Sequence, residues 1–331
     1  MRRLWKYQET YVALVIVLLS CAITLLNPNF LTLENLFDLL KSYTFLGILS
    51  IGVLFVLISG GIDISFTAVA TVAVYTTMYV TLQHGGNMAT VLLMSAAIGA
   101  GLGLINAVII HFFNIPSIIT TIATLNVYYG LLTVFSGGTW LYNMPEWFRR
   151  FAETNVISLV NPDGVPYGLS VIPLIWFAVI LAAWVILHYT MLGRGIYALG
   201  GNLASAQRTG FNILALHLFV YSFMGLLAGI AGVVEVMLAQ RVATNSMVGK
   251  ELDVIAAVVL GGASLTGGVG TLWGTLLGVA LVGIIGNGLT LMRISSYWYN
   301  VFIGLVIIVS VGVSAYRRKL QRQRKVRVEV E

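Results

Sequence analysis

Apolar residues run along this chain in long blocks. They show neither the alternation of a half-buried strand nor the single stripe of a water-soluble helix. Blocks at residues 11–26, 43–59, 65–82, 89–112, 117–135, 171–189, 215–239, 252–265, 271–291 and 297–316 predict ten helices that cross a bilayer. A crossing helix takes about 20 predominantly apolar residues. The expected fold class is an all-α polytopic membrane protein, one transmembrane domain over residues 1–331. The turn "HGGN" (84–87) and the segment 136–170 fall on one side, and the turn "FFNIP" (112–116) and the segment 191–214 on the other. Within 136–170, "MPEWFRRF" (144–151) predicts a short interfacial helix with Trp147 and Phe148 at membrane level.

Two blocks end at glycine pairs. The block at 252–265 has an apolar core, residues 254–260, too short to cross alone, and it runs into "GGASLTGGVG" (261–270). Unpaired backbone groups cost several kcal/mol each in lipid, so this stretch must be enclosed by protein or face a watery cavity. An echo supports the same conclusion: "LISGGIDIS" (57–65) parallels "VVLGGASLT" (258–266). Paired broken helices in two halves of a chain point to a transporter's pathway. Gly60, Gly61, Gly261, Gly262 and Ser264 are therefore candidate pathway residues.

Composition strengthens the membrane reading. The chain has 331 residues, 59% hydrophobic and 9% charged, where soluble domains carry about 25% charged residues. The formal charge of +6 sits at the ends: Arg2, Arg3 and Lys6 open the chain, and Arg317, Arg318, Lys319, Arg322, Arg324, Lys325 and Arg327 close it. Such flanking charges are topology signals and membrane-surface anchors rather than a nucleic-acid footprint. An even number of crossings puts both ends on one side, and the positive-inside rule makes it the cytoplasm. Residues 1–10 are then a cytoplasmic N-terminus and residues 317–331 a basic cytoplasmic tail. The basic start and following apolar block lack a small-residue cleavage pattern, which reads as a retained signal anchor. Cys21 is the sole cysteine, so disulfides within the chain and cysteine metal clusters are excluded.

Few residues carry candidate chemistry. Asp63 follows the first glycine pair. As a cap it would accept N–H bonds from the first turn of the next helix; as an intramembrane carboxylate it would bind a polar substrate. Glu235, in "IAGVVEVMLAQ", has no cation at helical spacing, since Arg241 lies six positions on. It reads either as a structural partner for a polar group on another helix or as a pathway residue. Asn106, Asn126 and Asn287 suit interhelical hydrogen bonding, and equally the hydroxyl groups of a sugar. "GAGLG" (99–103) lies inside an apolar block with no strand before it, so it reads as close helix packing rather than nucleotide binding. No phosphate-loop motif occurs, and His84, His111, His188 and His217 show no metal-ligand spacing. Nothing argues for catalysis, and no cofactor or metal is expected on this chain. "GRGIYALGGNLASAQRTGFN" (193–212) predicts a short helix capped by Asn202 and ended by Gly210, with small residues on its face. It reads as a docking element or as an ordinary loop.

Taken together, "SGGIDIS" (59–65), "YALGGNLASAQRTGFN" (197–212), "ELDVIAAVVLGGASLTGGVGTLWGTLLG" (251–278) and "NGLTL" (287–291) followed by "SSYW" (295–298) resemble the permease subunits of bacterial ribose-type ABC importers, which serve sugars and the sugar-like autoinducer. Order and spacing agree over nearly the whole chain. The resemblance implies a subunit without ATPase activity in the bacterial inner membrane. It implies a second permease subunit, identical or not, and ABC ATPase subunits that hold ATP and Mg on the inner side. It also implies a periplasmic solute-binding protein outside. Residues 193–212 would be the cytoplasmic coupling loop, with Arg194, Gly200, Gly201, Asn202, Ser205, Arg208 and Gly210 meeting the ATPase. Asp63, Asn126, Glu235 and Asn287 would join the glycine breaks along the substrate pathway. Glu235 and Tyr129 depart from the family pattern, where an apolar or small residue and an arginine are usual. The rival readings are an ion-coupled secondary transporter of a small polar solute, and a channel or structural membrane subunit.

Overall fold

The computed structural model describes residues 2–161, 164–295, 297–305, 308 and 312. Its helices are α1 (Arg2–Leu26), α2 (Leu33–Ser42), α3 (Thr44–Ile58), α4 (Phe66–His84), α5 (Met88–Phe113), α6 (Ser117–Ser136), α7 (Glu146–Glu153), α8 (Ile172–Tyr189), α9 (Met191–Gly201), α10 (Leu203–Arg208), α11 (Ile213–Ala239), α12 (Glu251–Leu260) and α13 (Leu272–Leu291). Residues 297–305 are also helical. The rest of the block at 297–316 and the basic tail at 317–331 lie almost wholly outside the described residues.

Helices occupy the other nine predicted blocks, but not all are spans in their own right. Among the described residues, six helices are long and apolar enough to cross: α1, α5, α6, α8, α11 and α13. The pair α2 and α3, bent by 50° at Tyr43, makes a seventh. Threonine-rich α4 and ten-residue α12 do not meet that measure. Residues 2–10, within the segment expected as a cytoplasmic N-terminus, are helical and continuous with the rest of α1.

The fold is not purely helical. β1 (Asn155–Val160) and β2 (Pro166–Ser170) form an antiparallel hairpin in the segment expected to be loop. β-branched Val156, Ile157 and Val160 favour strand here. Asn161 closes the turn, its side chain accepting from Val165 N–H at 2.8 Å. The preceding α7 is the short helix expected here, with Phe148 fully buried against the core.

The core explains which helices need lipid and which do not. All 15 residues of α3 are buried. A helix apolar on every side must be surrounded, and α3 packs against α8, α11, α12 and α13. Gly47 and Gly52 admit the side chains of Trp176 and Met224 from α8 and α11. The most extensive contact joins α5 to α11. There a Cβ at Gly99 would lie 2.1 Å from Gly225 O, and one at Gly225 would lie 2.1 Å from Gly99 O. Ser95 Oγ donates to Gly229 O at 2.8 Å across the same seam. This is the close packing that "GAGLG" predicts, since small residues let two backbones meet.

Gly225→Ala should force the seam apart and destabilise the purified protein by about 1–3 kcal/mol, the usual cost of overpacking. Gly101→Ala, on the open face of α5 with nothing within 4 Å of its Cβ position, should be neutral or slightly stabilising. Thermal unfolding of both variants in detergent tests the contrast; equal midpoints would contradict the seam.

Candidate functional site

The two glycine breaks are built alike. At the end of α3, Gly60 takes φ +89°. Gly60 N–H donates to Leu57 O and Gly61 N–H to Val56 O. At the end of α12, Gly262 takes φ +100°, while Gly262 N–H donates to Val259 O and Ala263 N–H to Val258 O. Both are Schellman closures, which use a left-handed residue to satisfy the last carbonyls of a helix. The equivalence is offset by one residue from the sequence echo, because Gly60 corresponds to Gly262 and not to Gly261. Gly261 has a different task. A Cβ there would lie 2.2 Å from Gly274 O, so it lets α12 lie against α13.

After Gly60, residues 61–64 are neither helix nor strand. Its backbone groups are satisfied by hydroxyls on the first turns of α6. Ile62 N–H donates to Ser117 Oγ at 2.9 Å, and Ile64 N–H to Thr121 Oγ1 at 3.2 Å. Asp63 is buried, and one carboxylate oxygen accepts both the N–H and the hydroxyl of Ser65, each at 2.7 Å. It therefore makes a local turn onto Ser65 and does not cap the first turn of α4. The flanking residue Ser65 makes no side-chain cap bond either. Asn106 Nδ2 donates to Ser65 Oγ at 2.8 Å, and the Tyr128 hydroxyl to Leu102 O at 3.0 Å and Asn106 Oδ1 at 3.4 Å. This buried polar chain ties the break to α5 and α6. Among the described residues no cation pairs with Asp63.

A second polar cluster lies beyond the first turn of α4. Thr67 donates to the buried carboxylate of Glu251 in a short hydrogen bond. The adjacent Lys250 Nζ lies 3.1 Å from Glu235 Oε1 and 4.9 Å from the centre of the Phe45 ring. Glu235, without a cation at helical spacing, thus finds one 15 positions on. Glu251 and Asp253 occupy the first turn of α12, where the helix dipole favours acids. Asp63 and Glu235 therefore belong to two clusters bridged by Thr67, Glu251 and Lys250. Sequence reasoning selected none of those three. Their signal was the charge triplet of Lys250, Glu251 and Asp253 at the start of a broken helix in a chain almost without internal charges.

The other candidates lie elsewhere. Asn126 is exposed on α6 and donates to its own helix at Ile122 O, 2.8 Å away. Asn287 on α13 pairs reciprocally with Asn35 on α2, at 2.8 and 3.1 Å. Ser264 is buried in the second break, its Oγ accepting from Thr266 N–H at 3.2 Å. His111 and His217, distant in sequence, meet with their Nδ1 atoms 3.2 Å apart, clasping the end of α5 to the start of α11. Among the described residues no group of His, Cys, Asp or Glu could hold a metal ion.

The segment at 193–212 folds as its capping residues predict. Asn202 Oδ1 accepts from Ser205 N–H at 3.0 Å and starts α10. Gly210, at φ +85°, follows its end, with Gly210 N–H on Gln207 O and Phe211 N–H on Ala206 O. Arg194, Gly201, Asn202, Ser205, Arg208 and Gly210 are exposed, and Gly200 is half-buried. Gly200 touches both breaks. A Cβ on it would lie 1.8 Å from Ile58 O, 2.7 Å from Gly268 N and 2.9 Å from Gly60 N. Gly268 N–H donates to Ile58 O at 2.8 Å, and the Tyr197 hydroxyl to Gly270 O at 2.7 Å. Residues chosen separately as pathway and coupling candidates thus meet at one backbone joint. Gly267, Gly268 and Tyr197, which complete it, were not among them.

Comparison with known proteins follows this geometry. Residues 35–311 match the family described as branched-chain amino acid transport system / permease component. The ribose import permease protein RbsC of Escherichia coli strain K12 is 33% identical over 311 residues, 93% of this chain and 94% of that protein. RbsC of Bacillus subtilis strain 168 is 33% identical over 313 residues, 94% of this chain and 92% of its own. The autoinducer 2 import system permease protein LsrC of Enterobacter sp. strain 638 is 31% identical over 308 residues, 93% of this chain and 87% of its own. No solved structure matches. The chain belongs to this family of membrane permeases, with the permeases of ribose-type ABC importers.

Proposed function

We propose that this chain is the transmembrane subunit of an ATP-binding cassette importer. It carries a monosaccharide or sugar-like solute across the bacterial inner membrane by alternating access. A second permease subunit, a pair of ATPase subunits holding ATP and Mg, and a periplasmic binding protein complete the machine. The observation that carries this reading is the exposed, doubly capped α10, which α9 joins to the ends of both broken helices. An ion-coupled transporter needs no such element. The start of α1 lies at the same end as α9 and α10, since Glu9 accepts from Thr271 beside the joint at 2.5 Å. The basic residues Arg2, Arg3 and Lys6 make that end cytoplasmic. Residues 193–212 are then the coupling loop, and Asp63 and Glu235 the polar groups set along the path.

Docking is tested by co-purification. Gly201 has nothing within 4 Å of its Cβ position, so Gly201→Trp should fold and clash only with a docked partner. Arg208→Glu reverses an exposed charge. Each should lower recovery of the ATPase at least severalfold, and unchanged recovery of both would remove α10 from the interface.

Asp63→Asn keeps an acceptor for Ser65 N–H while losing the charge. It should leave thermal stability within about 1 kcal/mol, one net hydrogen bond at most, and reduce import into vesicles at least tenfold. Wild-type import would confine Asp63 to its turn.

Glu235→Gln and Lys250→Met probe the second cluster. With Lys250 40% exposed, water screens the pair. A double-mutant cycle on unfolding should return a coupling of about 1 kcal/mol or less. If Glu235 lines the path, import stays low in the double variant even where stability recovers.

A further inference from the structure

Building on the permease reading, we infer that Tyr197 and Gly267 are positioning residues for coupling. Together with Gly200 they form a backbone joint through which displacement of α10 moves both broken helices as one body.

The joint has no slack at the level of side chains. At Gly200 a Cβ would overlap Ile58 O. At Gly267 it would lie 2.7 Å from both Gly200 O and Gly60 Cα, and at Gly268 it would lie 2.9 Å from Gly201 Cα. A contact between side chains can yield by changing rotamer. A contact between backbones yields only when a whole segment shifts. Two hydrogen bonds fix it further, Gly268 N–H to Ile58 O and the Tyr197 hydroxyl to Gly270 O.

The parts meeting there are stiff. α9 is continuous from Met191 to Gly201, and the Asn202 cap joins it directly to α10. α3 reaches the joint as a helix closed by Schellman bonds, and α12, closed in the same way, reaches it through the turn at residues 261–268, which Gly267 N–H on Ser264 O and Ser264 N–H on Val269 O hold together. Each leads to one polar cluster. The segment after α3 holds Asp63, while the far end of α12 holds Glu251 and borders Lys250. Displacement of α10 therefore reaches both clusters through helices, hydrogen-bonded turns and backbone contacts. Such a contiguous path of packed elements is the physical form that coupling between distant sites requires.

The test is the number of solute molecules imported per ATP hydrolysed by the complete importer in vesicles. Labelled monosaccharides, ribose first, serve as probes, and the one that the wild type imports is taken forward. Tyr197→Phe removes one hydroxyl and one hydrogen bond. It should keep ATPase association and hydrolysis while the ratio falls about fivefold, the worth of one net hydrogen bond. Gly267→Ala adds a methyl group inside the joint and should lower the ratio further. Should Gly267→Ala fail to assemble, Tyr197→Phe decides alone. A wild-type ratio in Tyr197→Phe overturns the inference. So does a parallel fall of import and hydrolysis that tracks the amount of folded complex, because packing alone would give that result. A wild-type chain that recruits no ATPase would instead sink the permease reading, and the inference with it.

Discussion

The constraint behind this structure is that a backbone interrupted inside an apolar bundle must still pair its N–H and C=O groups. In lipid each unpaired group costs several kcal/mol. The chain interrupts itself twice, after Ile58 and after Leu260, and it meets the constraint by three means. Left-handed glycines fold the last turns back on their own carbonyls. Hydroxyls of Ser117 and Thr121 stand in for the missing helix along residues 61–64. One broken segment then pairs with the other, Gly268 N–H to Ile58 O. The last arrangement has a consequence beyond stability. Because the two breaks satisfy each other, neither can move far without exposing a polar group, and this favours moving them together.

Glycine serves two separate ends here. At Gly60 and Gly262 it supplies a positive φ that other residues reach only with strain. At Gly99, Gly225, Gly261 and Gly200 it supplies absence of volume, so that backbones touch. The seam between α5 and α11 uses that absence to make a rigid wall, and the joint uses it to make a contact without rotamers. A count of glycines cannot tell these tasks apart; only the neighbours can.

What was legible in the sequence follows from which interactions are local. Asn202 and Gly210 set the ends of α10 through bonds to residues three and four positions away, and both were readable. The apolar blocks gave the helices because burial in lipid or protein demands the same composition. That equivalence is also why the number of crossings was not readable: α4 and α12 lie in apolar blocks like the others, yet neither meets the measure of a span on its own. The hairpin at residues 155–170 was missed although β-branched residues and the Asn161 turn were present, because apolar blocks on either side dominated the pattern. The cluster around Glu251 and the His111–His217 clasp depend on partners 184 and 106 positions apart. No period or spacing encodes those.

The echo between the two breaks sharpens the meaning of Asp63. Asp63 accepts from Ser65 N–H, and Ser264 accepts from Thr266 N–H, each two positions on and each toward a hydroxyl residue. The turn therefore runs on a single acceptor atom, and a serine supplies one at no electrostatic cost. A carboxylate in the same place adds a charge that the turn does not use and that no described cation offsets. Burying such a group is expensive. Glu235 differs, because it is half-buried and has a cation in Lys250, whereas Glu251 is buried like Asp63 with a hydroxyl, that of Thr67, as its hydrogen-bond partner. Between the two breaks, the carboxylate at Asp63 is the difference that the turn itself does not require. That imbalance, rather than the mere presence of an acid in an apolar chain, distinguishes the break after α3 from the one after α12.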